Sequence, residues 1–405
     1  MTRVLVVDDS QFMRTVIGTA LADAGYTVTT ATNGSQAIEA VAADDPDIVT
    51  MDVEMPKLDG IDAVERIMAT NPTRILMLSA YTDDGAEATL DALERGAVDF
   101  LHKFDTSDLG SRNIAQLADE VVAKVDELAD ADVSPVALAR AATAEQTTSE
   151  PSATANGGLA RTSSGPVTGV QRGASSGRTG PGPIPDASDD SGNPVDAPAE
   201  SVSIEGEVTE PTIVIGASTG GPKIVEQLLT RLPVALGARV LVVQHMPESF
   251  TSRFADRLDT LSEYDIFEAA DGDRLSAGAV AVAPGDAHLG VAAEDDGALE
   301  LRLDATERIH GVRPAIDVTM TTAAEQVEAP VCGVALTGMG RDGAAGIEAI
   351  NAAGGYTIAQ NEATSPVFGI PCQAIETGCV DDIVAAGDIV DRIVDAYATD
   401  GETDD

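Results

Sequence analysis

The sequence predicts an α/β protein in which two domains are joined by a long tether. Three observations carry that prediction. Short aliphatic runs alternate with helical patterns over residues 1–128, and the same alternation returns over residues 210–398. Between them, residues 129–209 are rich in Ala, Ser, Thr, Gly, Pro and acids and contain no aromatic residue. Such a composition cannot bury enough surface to offset chain entropy, so this stretch reads as a flexible acidic linker.

In the first zone, Arg3–Val7, Thr27–Ala31, Asp47–Met51, Arg74–Leu78 and Asp99–Leu101 read as strands. Met13–Ala24, Ser35–Ala43, Gly60–Ala69, Ala86–Glu94 and Ile114–Leu128 read as helices. Five βα units imply a parallel sheet with helices on both faces. In the last zone, Thr212–Ile215, Arg239–Gln244, Ala279–Ala283, Val331–Leu336 and Tyr356–Ala359 look like buried strands. Pro222–Leu232, Glu248–Leu261, Asp317–Val327, Ala344–Ala353 and Ala386–Tyr397 look like helices. Leu289–Ala292 and Leu299–Leu303 flank Asp295-Asp296-Gly297 and read as a hairpin. Residues 399–405 form an acidic tail.

Charge narrows the class of partner. The chain has 68 acidic and 24 basic residues, a formal net charge of −44. The excess is spread evenly: −14 over residues 1–126, −9 over 127–210 and −21 over 211–405. A polyanion repels phosphates, and only 3% of the residues are aromatic, which argues against nucleic acid as partner. An even excess is a property of the whole surface rather than of an interaction tail. At about 1 M salt the Debye length falls to roughly 3 Å and self-repulsion nearly vanishes. A halophilic, very salty cytoplasm is therefore expected. No apolar run approaches the roughly 20 residues that span a bilayer, and the N-terminus turns acidic too soon for a signal peptide. Cys332, Cys372 and Cys379 form no C-x-x-C pair, so neither a zinc site nor a disulfide framework is expected.

Asp8 and Asp9 end the first strand and Asp52 ends the third. In a parallel sheet these positions converge at the carboxyl edge. Clustered carboxylates repel unless a cation joins them, and a hard ion such as Mg²⁺ suits oxygen ligands. Ser79 ends the fourth strand and Lys103 follows the fifth, so a hydroxyl and an ammonium face the same edge. Asp52 could then become an aspartyl phosphate. Each piece alone has a bland reading as a solvated loop; their joint placement favours chemistry. With Val6-Val7-Asp8-Asp9-Ser10, Met51–Pro56 and Asp59-Gly60, this zone resembles a response-regulator receiver domain. The resemblance implies that Asp52 accepts phosphate from a histidine kinase. It further implies that Asp8, Asp9 and Asp52 hold Mg²⁺, that Ser79 and Lys103 contact the phosphoryl group, and that Phe100 is the aromatic switch. Phe104 departs from the family, which usually has Pro there.

Near the start of the last zone, Ile213–Pro222 is a strand entering a glycine-rich turn and a helix. Gly216-Ala217-Ser218-Thr219-Gly220 matches G-x-S-x-G, which holds a nucleophilic Ser on a sharp turn. A phosphate-binding turn and an ordinary left-handed turn compete with that reading. A Ser needs a base. Of the four His, His245 is the best candidate because it follows a buried strand; His310 fits an exposed surface His. The base needs an orienting carboxylate, and Asp342 sits in a third glycine-rich loop, Thr337–Gly343. The order Ser218, His245, Asp342 is not that of α/β-hydrolases.

With this set, and with Gln244–Pro247, Pro284–His288 and Arg313–Asp317, the whole chain resembles the CheB-type chemotaxis protein-glutamate methylesterases. The resemblance implies two doubly wound parallel-sheet domains, a flavodoxin-like receiver and an α/β methylesterase, joined by the linker. It implies hydrolysis of glutamate γ-methyl esters on chemoreceptors, with methanol released, and deamidation of receptor glutamines. Ser218 would be nucleophile, His245 base and Asp342 orienter, with backbone N–H groups of Met339 and Thr219 at the oxyanion and no cofactor in the ester chemistry. A chemotaxis histidine kinase would be the phosphodonor, and a cytoplasmic monomer is expected. Two other classes remain open: a binding module whose esterase domain is silent, and a hydrolase of small esters.

Overall fold

The computed structural model describes residues 2–80, 83–103, 111–130 and 207–399. Most of the expected linker, the tail beyond residue 399 and Phe104 lie outside the described residues.

The N-terminal sheet comprises β1 (Arg3–Val7), β2 (Thr27–Ala31), β3 (Ile48–Asp52), β4 (Arg74–Ala80) and β5 (Asp99–Lys103), in the order β2-β1-β3-β4-β5. All four pairings are parallel. The central strands are sealed on both sides: Val4–Val7, Ile48, Val49, Met51 and Ile75–Leu78 are buried, as a sheet covered on both faces requires. The covering helices are α1 (Gln11–Asp23), α2 (Gly34–Asp44), α3 (Gly60–Thr70), α4 (Asp83–Glu94) and α5 (Ser111–Asp130). Helix α1 packs on α5, while α2, α3 and α4 pack in sequence, which gives the two layers. Ser10 and Asp59 cap α1 and α3 by accepting the N–H groups of Met13 (3.4 Å) and Asp62 (2.8 Å).

The C-terminal sheet has seven parallel strands. These are β7 (Thr212–Ala217), β8 (Arg239–Gln244), β9 (Asp265–Glu268), β11 (Ala279–Val282), β14 (Val331–Ala335), β15 (Tyr356–Gln360) and β16 (Asp382–Val384), ordered β16-β15-β14-β7-β8-β11-β9. Alternate side chains serve opposite layers: Val240 and Val242 of β8 join one core, Leu241 and Val243 the other. Helices α6 (Gly221–Arg231), α7 (Glu248–Leu261) and α11 (Ile389–Tyr397) cover the first layer. The second is covered by α8 (Ile316–Gln326), α9 (Ala344–Ala352), α10 (Ile370–Glu376) and a small antiparallel sheet. That sheet contains the expected hairpin, β12 (His288–Asp295) and β13 (Ala298–Asp304), turned by Asp296 and Gly297 at positive φ, with β10 (Arg274–Leu275) added at its edge. A two-stranded ribbon pairs β6 (Glu207–Val208) with β17 (Ala398–Thr399). The last helix starts three residues later than the pattern suggested, because Ala386–Asp388 form a 3₁₀ turn.

Strand order switches direction between β1 and β3 in the first sheet and between β14 and β7 in the second, where β11 also folds back between β8 and β9. Open α/β sheets leave a crevice outside the carboxyl ends of the strands at such a point.

Candidate active site and phosphoacceptor site

At the first crevice, ligand atoms of Asp8, Asp9 and Asp52 lie within 4.8 Å of one another. Lys103 Nζ reaches Asp8 Oδ2 at 2.6 Å and Asp52 Oδ1 at 2.7 Å. Burial pushes the Asp52 carboxyl up to about 6; Lys103 opposes the shift and Asp8 adds to it. One ammonium therefore leaves negative charge uncompensated among three carboxylates, and this donor set fits a hard dication. Ser79 is buried near the end of β4, whose next residue, Ala80, pairs with Lys103. Beside Asp52 an open cleft of about 560 Å³ is lined by Asp9, Val53, Glu54, Met55, Pro56 and Asp59.

At the second crevice the structure brings Ser218, His245 and Asp342 to adjacent strand ends. Ser218 follows β7, His245 follows β8 and Asp342 stands in the loop after β14. His245 Nε2 lies 2.8 Å from Asp342 Oδ2, leaving Nδ1 as the ring nitrogen that can serve the Ser218 hydroxyl. Asp342 is buried and also accepts the N–H groups of Ile316 (2.7 Å) and Asp317 (3.0 Å). Burial alone would raise its carboxyl; the hydrogen bond and charge of His245, with those two N–H groups, outweigh it and hold it below the usual range. No hydrogen bond joins the Ser218 hydroxyl to His245 among the described residues. In serine hydrolases that last contact commonly tightens only when substrate binds.

Backbone contacts fix the Ser218 turn. The Ser218 N–H donates to the Thr337 carbonyl (3.0 Å), and Thr337 Oγ1 donates to the Thr219 carbonyl (3.0 Å). Gly338 must be glycine, because a Cβ there would stand 2.6 Å from the Ser218 Cβ. Gly220 sits at φ +77°, the left-handed region, and starts α6 without a side-chain cap. The N–H groups of Thr219 and Met339 donate to no acceptor among the described residues, so both are available to an oxyanion.

The N-terminal domain sits on this turn. Gly220 N–H donates to the Val98 carbonyl (2.8 Å), and Thr219 Oγ1 donates to Asp99 Oδ2 (2.8 Å), which Lys124 also holds (2.7 Å). The Phe100 ring lies 4.3 Å from that of Phe250, and Arg257 on α7 pairs with Asp91 on α4 (2.9 Å). Strand β5 thus touches the Ser218 turn at one end and, through Lys103, Asp52 at the other.

The chain matches the model of the response regulator receiver domain over residues 4–112 and that of the CheB methylesterase over residues 213–393. It is 45% identical over 397 residues to a Halobacterium salinarum protein named protein-glutamate methylesterase/protein-glutamine glutaminase, covering 98% of this chain and 99% of that one. The chain belongs to the CheB methylesterase family. A Natronomonas pharaonis protein of the same name is 47% identical over 392 residues, 96% of each chain. Both relatives come from halophilic sources, in line with the salt expectation drawn from the charge. The crystal structure of the Thermotoga maritima CheB methylesterase catalytic domain is 40% identical, spans 47% of this chain and 100% of that one, and has a TM-score of 0.45.

Three contacts in this CheB family member depend on the fold. Asp317 is a buried carboxylate whose Oδ1 accepts the N–H groups of Gly343 and Gly346, both at 2.8 Å, and so anchors the helix that follows Asp342. The motif Arg313–Asp317 was visible, but its role depends on tertiary contact. His310 is exposed, as expected, yet it pairs with Asp317 (3.0 Å). The Asp99–Thr219 bond spans 120 residues and had no local signal.

Proposed function

We propose that this chain is a phosphorylation-activated protein-glutamate methylesterase that hydrolyses γ-methyl esters of chemoreceptor glutamates and deamidates receptor glutamines. The observation that carries the reading is the convergence of Ser218, His245 and Asp342 at the crevice between β7 and β14. Ser218 Oγ attacks the ester carbonyl while His245 takes its proton. The oxyanion is met by the N–H groups of Thr219 and Met339; one such donor is worth about 2.7–4 kcal/mol. The intermediate collapses, the C–O bond to the methoxy group breaks, and His245 returns the proton to departing methanol. Water then attacks the acyl-enzyme by the same route and releases glutamate. Asp342 holds the imidazole with Nε2–H toward itself and favours its charged form. For a glutamine the leaving group is ammonia.

Regulation rests on the other crevice. Asp52 takes the phosphoryl group from a histidine kinase: the P–N bond of the phosphohistidine breaks and an acyl phosphate forms. Mg²⁺ held by Asp8, Asp9 and Asp52 would neutralise phosphoryl charge. Ser79 and Lys103 contact the new group. When Lys103 turns to the phosphoryl oxygens, the far end of β5 loosens its hold on Thr219 and Gly220, and the cleft opens. In this reading residues 1–128 are the receiver, 129–209 the tether, 210–398 the esterase and 399–405 a tail, acting as a monomer in the cytoplasm. No helix among the described residues is long and apolar enough to cross a membrane. Methanol release from methylated receptor membranes, with and without a phosphodonor, tests the assignment. Hydrolysis of small esters with no action on receptors would replace it with a general esterase.

A further inference from the structure

Gln244 is the last residue of β8, and its side chain takes a place where the preceding strand residues put valine. It is 2% exposed. An amide buried there without partners would be costly, so what it bonds is informative. Its Nε2 donates to the Ser218 carbonyl at 2.9 Å and to the His245 carbonyl at 3.2 Å. The β7–β8 ladder runs to Ala217 opposite Gln244 and closes with His245 N–H on the Ala217 carbonyl at 3.0 Å. Beyond that rung the nucleophile turns away from the sheet. The amide of Gln244 supplies the rung the backbone can no longer make.

We propose that Gln244 is a positioning residue that sets the separation of the nucleophile and the base. The idea rests on the esterase reading above. Ser218 is gripped from two sides: its N–H by the Thr337 carbonyl, and its C=O by Gln244 and by the Gly221 N–H (2.8 Å). The same amide grips His245, so a single planar group refers both residues to one point. The fit leaves no slack. A Cβ on Gly221 would stand 2.3 Å from Gln244 Oε1. That Oε1 is buried and has no hydrogen-bond partner among the described residues. Its oxygen lies instead against the first residue of α6, at the positive end of that helix. A packing role alone would be served by an apolar side chain of equal length. Two donors aimed at the carbonyls of two reacting residues would not be needed.

The test uses the full chain with a phosphodonor present throughout, so that the receiver's hold on the turn does not intervene. Gln244→Met keeps the length and removes both donors. Gln244→Asn keeps an amide that is too short to reach both carbonyls. Each is assayed for kcat and KM of methanol release, and for the rate at which a fluorophosphonate labels Ser218, counted per folded molecule. A displacement of about 1 Å in a catalytic group can cost roughly 100-fold. We expect kcat and the labelling rate to fall together by about 10- to 100-fold in both variants, with KM within about twofold. A folded variant of either kind that keeps wild-type kcat and labelling overturns the proposal, as does a loss carried by KM alone. If the wild type itself neither labels nor releases methanol, the esterase reading falls instead.

Discussion

The Asp99–Thr219 hydrogen bond joins the receiver to the Ser218 turn, and it can be removed without touching the esterase domain. Asp99 is mostly buried, and its Oδ2 receives both Thr219 Oγ1 and Lys124 Nζ. A hydrogen bond to a charged group contributes roughly 1.5–3 kcal/mol. At about 1.4 kcal/mol per tenfold, losing it shifts the closed–open balance by roughly 10- to 150-fold. Asp99→Ala should therefore raise methanol release without phosphodonor by about 10-fold or more, and shrink stimulation by phosphodonor by the same factor. Asp99→Asn keeps a neutral acceptor for Thr219 and should fall between wild type and Asp99→Ala. The Gly220–Val98 bond, the Phe100–Phe250 contact and the Arg257–Asp91 pair remain, so the receiver is not released outright. The assay is initial-rate methanol release with and without phosphodonor, with the melting temperature as a check on folding. An unchanged unstimulated rate in folded Asp99→Ala would show that this bond does not hold the cleft closed.

Ser218→Ala should abolish methanol release, and Asp342→Asn should lower kcat by about 10⁴ through the wrong imidazole tautomer; a near wild-type rate in either removes that residue from the mechanism. Asp52→Asn should bring the ratio of stimulated to unstimulated rate to one, and a persisting ratio would place the phosphoacceptor elsewhere. Without divalent metal, the Asp52 carboxyl should titrate near pH 6 by carbon NMR, protonated below and ionised above, and Mg²⁺ should move that midpoint down. Thermal unfolding in dilute buffer and at about 1 M KCl should show a higher melting temperature in salt, because screening removes the self-repulsion of a −44 chain; no gain would discard the halophilic reading.

Strands buried on both faces announced themselves as unbroken aliphatic runs, and each of β1, β3, β4, β7, β8, β14 and β15 was legible for that reason. The outer strands β9 and β16 of the seven-stranded sheet, and β10, were not. β9 mixes Asp265 and Glu268 with Ile266 and Phe267, and β10 and β16 are two and three residues long, too short to carry a period. The candidate site residues were legible because each stands where an apolar run stops, which in a parallel sheet is one edge. The groups around them were not. Gln244 reads as the end of a strand, and Asp317 as a residue in the first turn of a helix. Their roles come from hydrogen bonds to Ser218, His245, Gly343 and Gly346, brought close only by the fold.

Coupling of Asp52 phosphorylation to esterase action by Ser218 through β5 is open to direct measurement. Its most direct test is methanol release from methylated chemoreceptor membranes by the full chain, measured with and without a phosphodonor. Release is expected in both conditions, at a faster rate with the phosphodonor. Release that is indifferent to the phosphodonor, or no release at all, would contradict it.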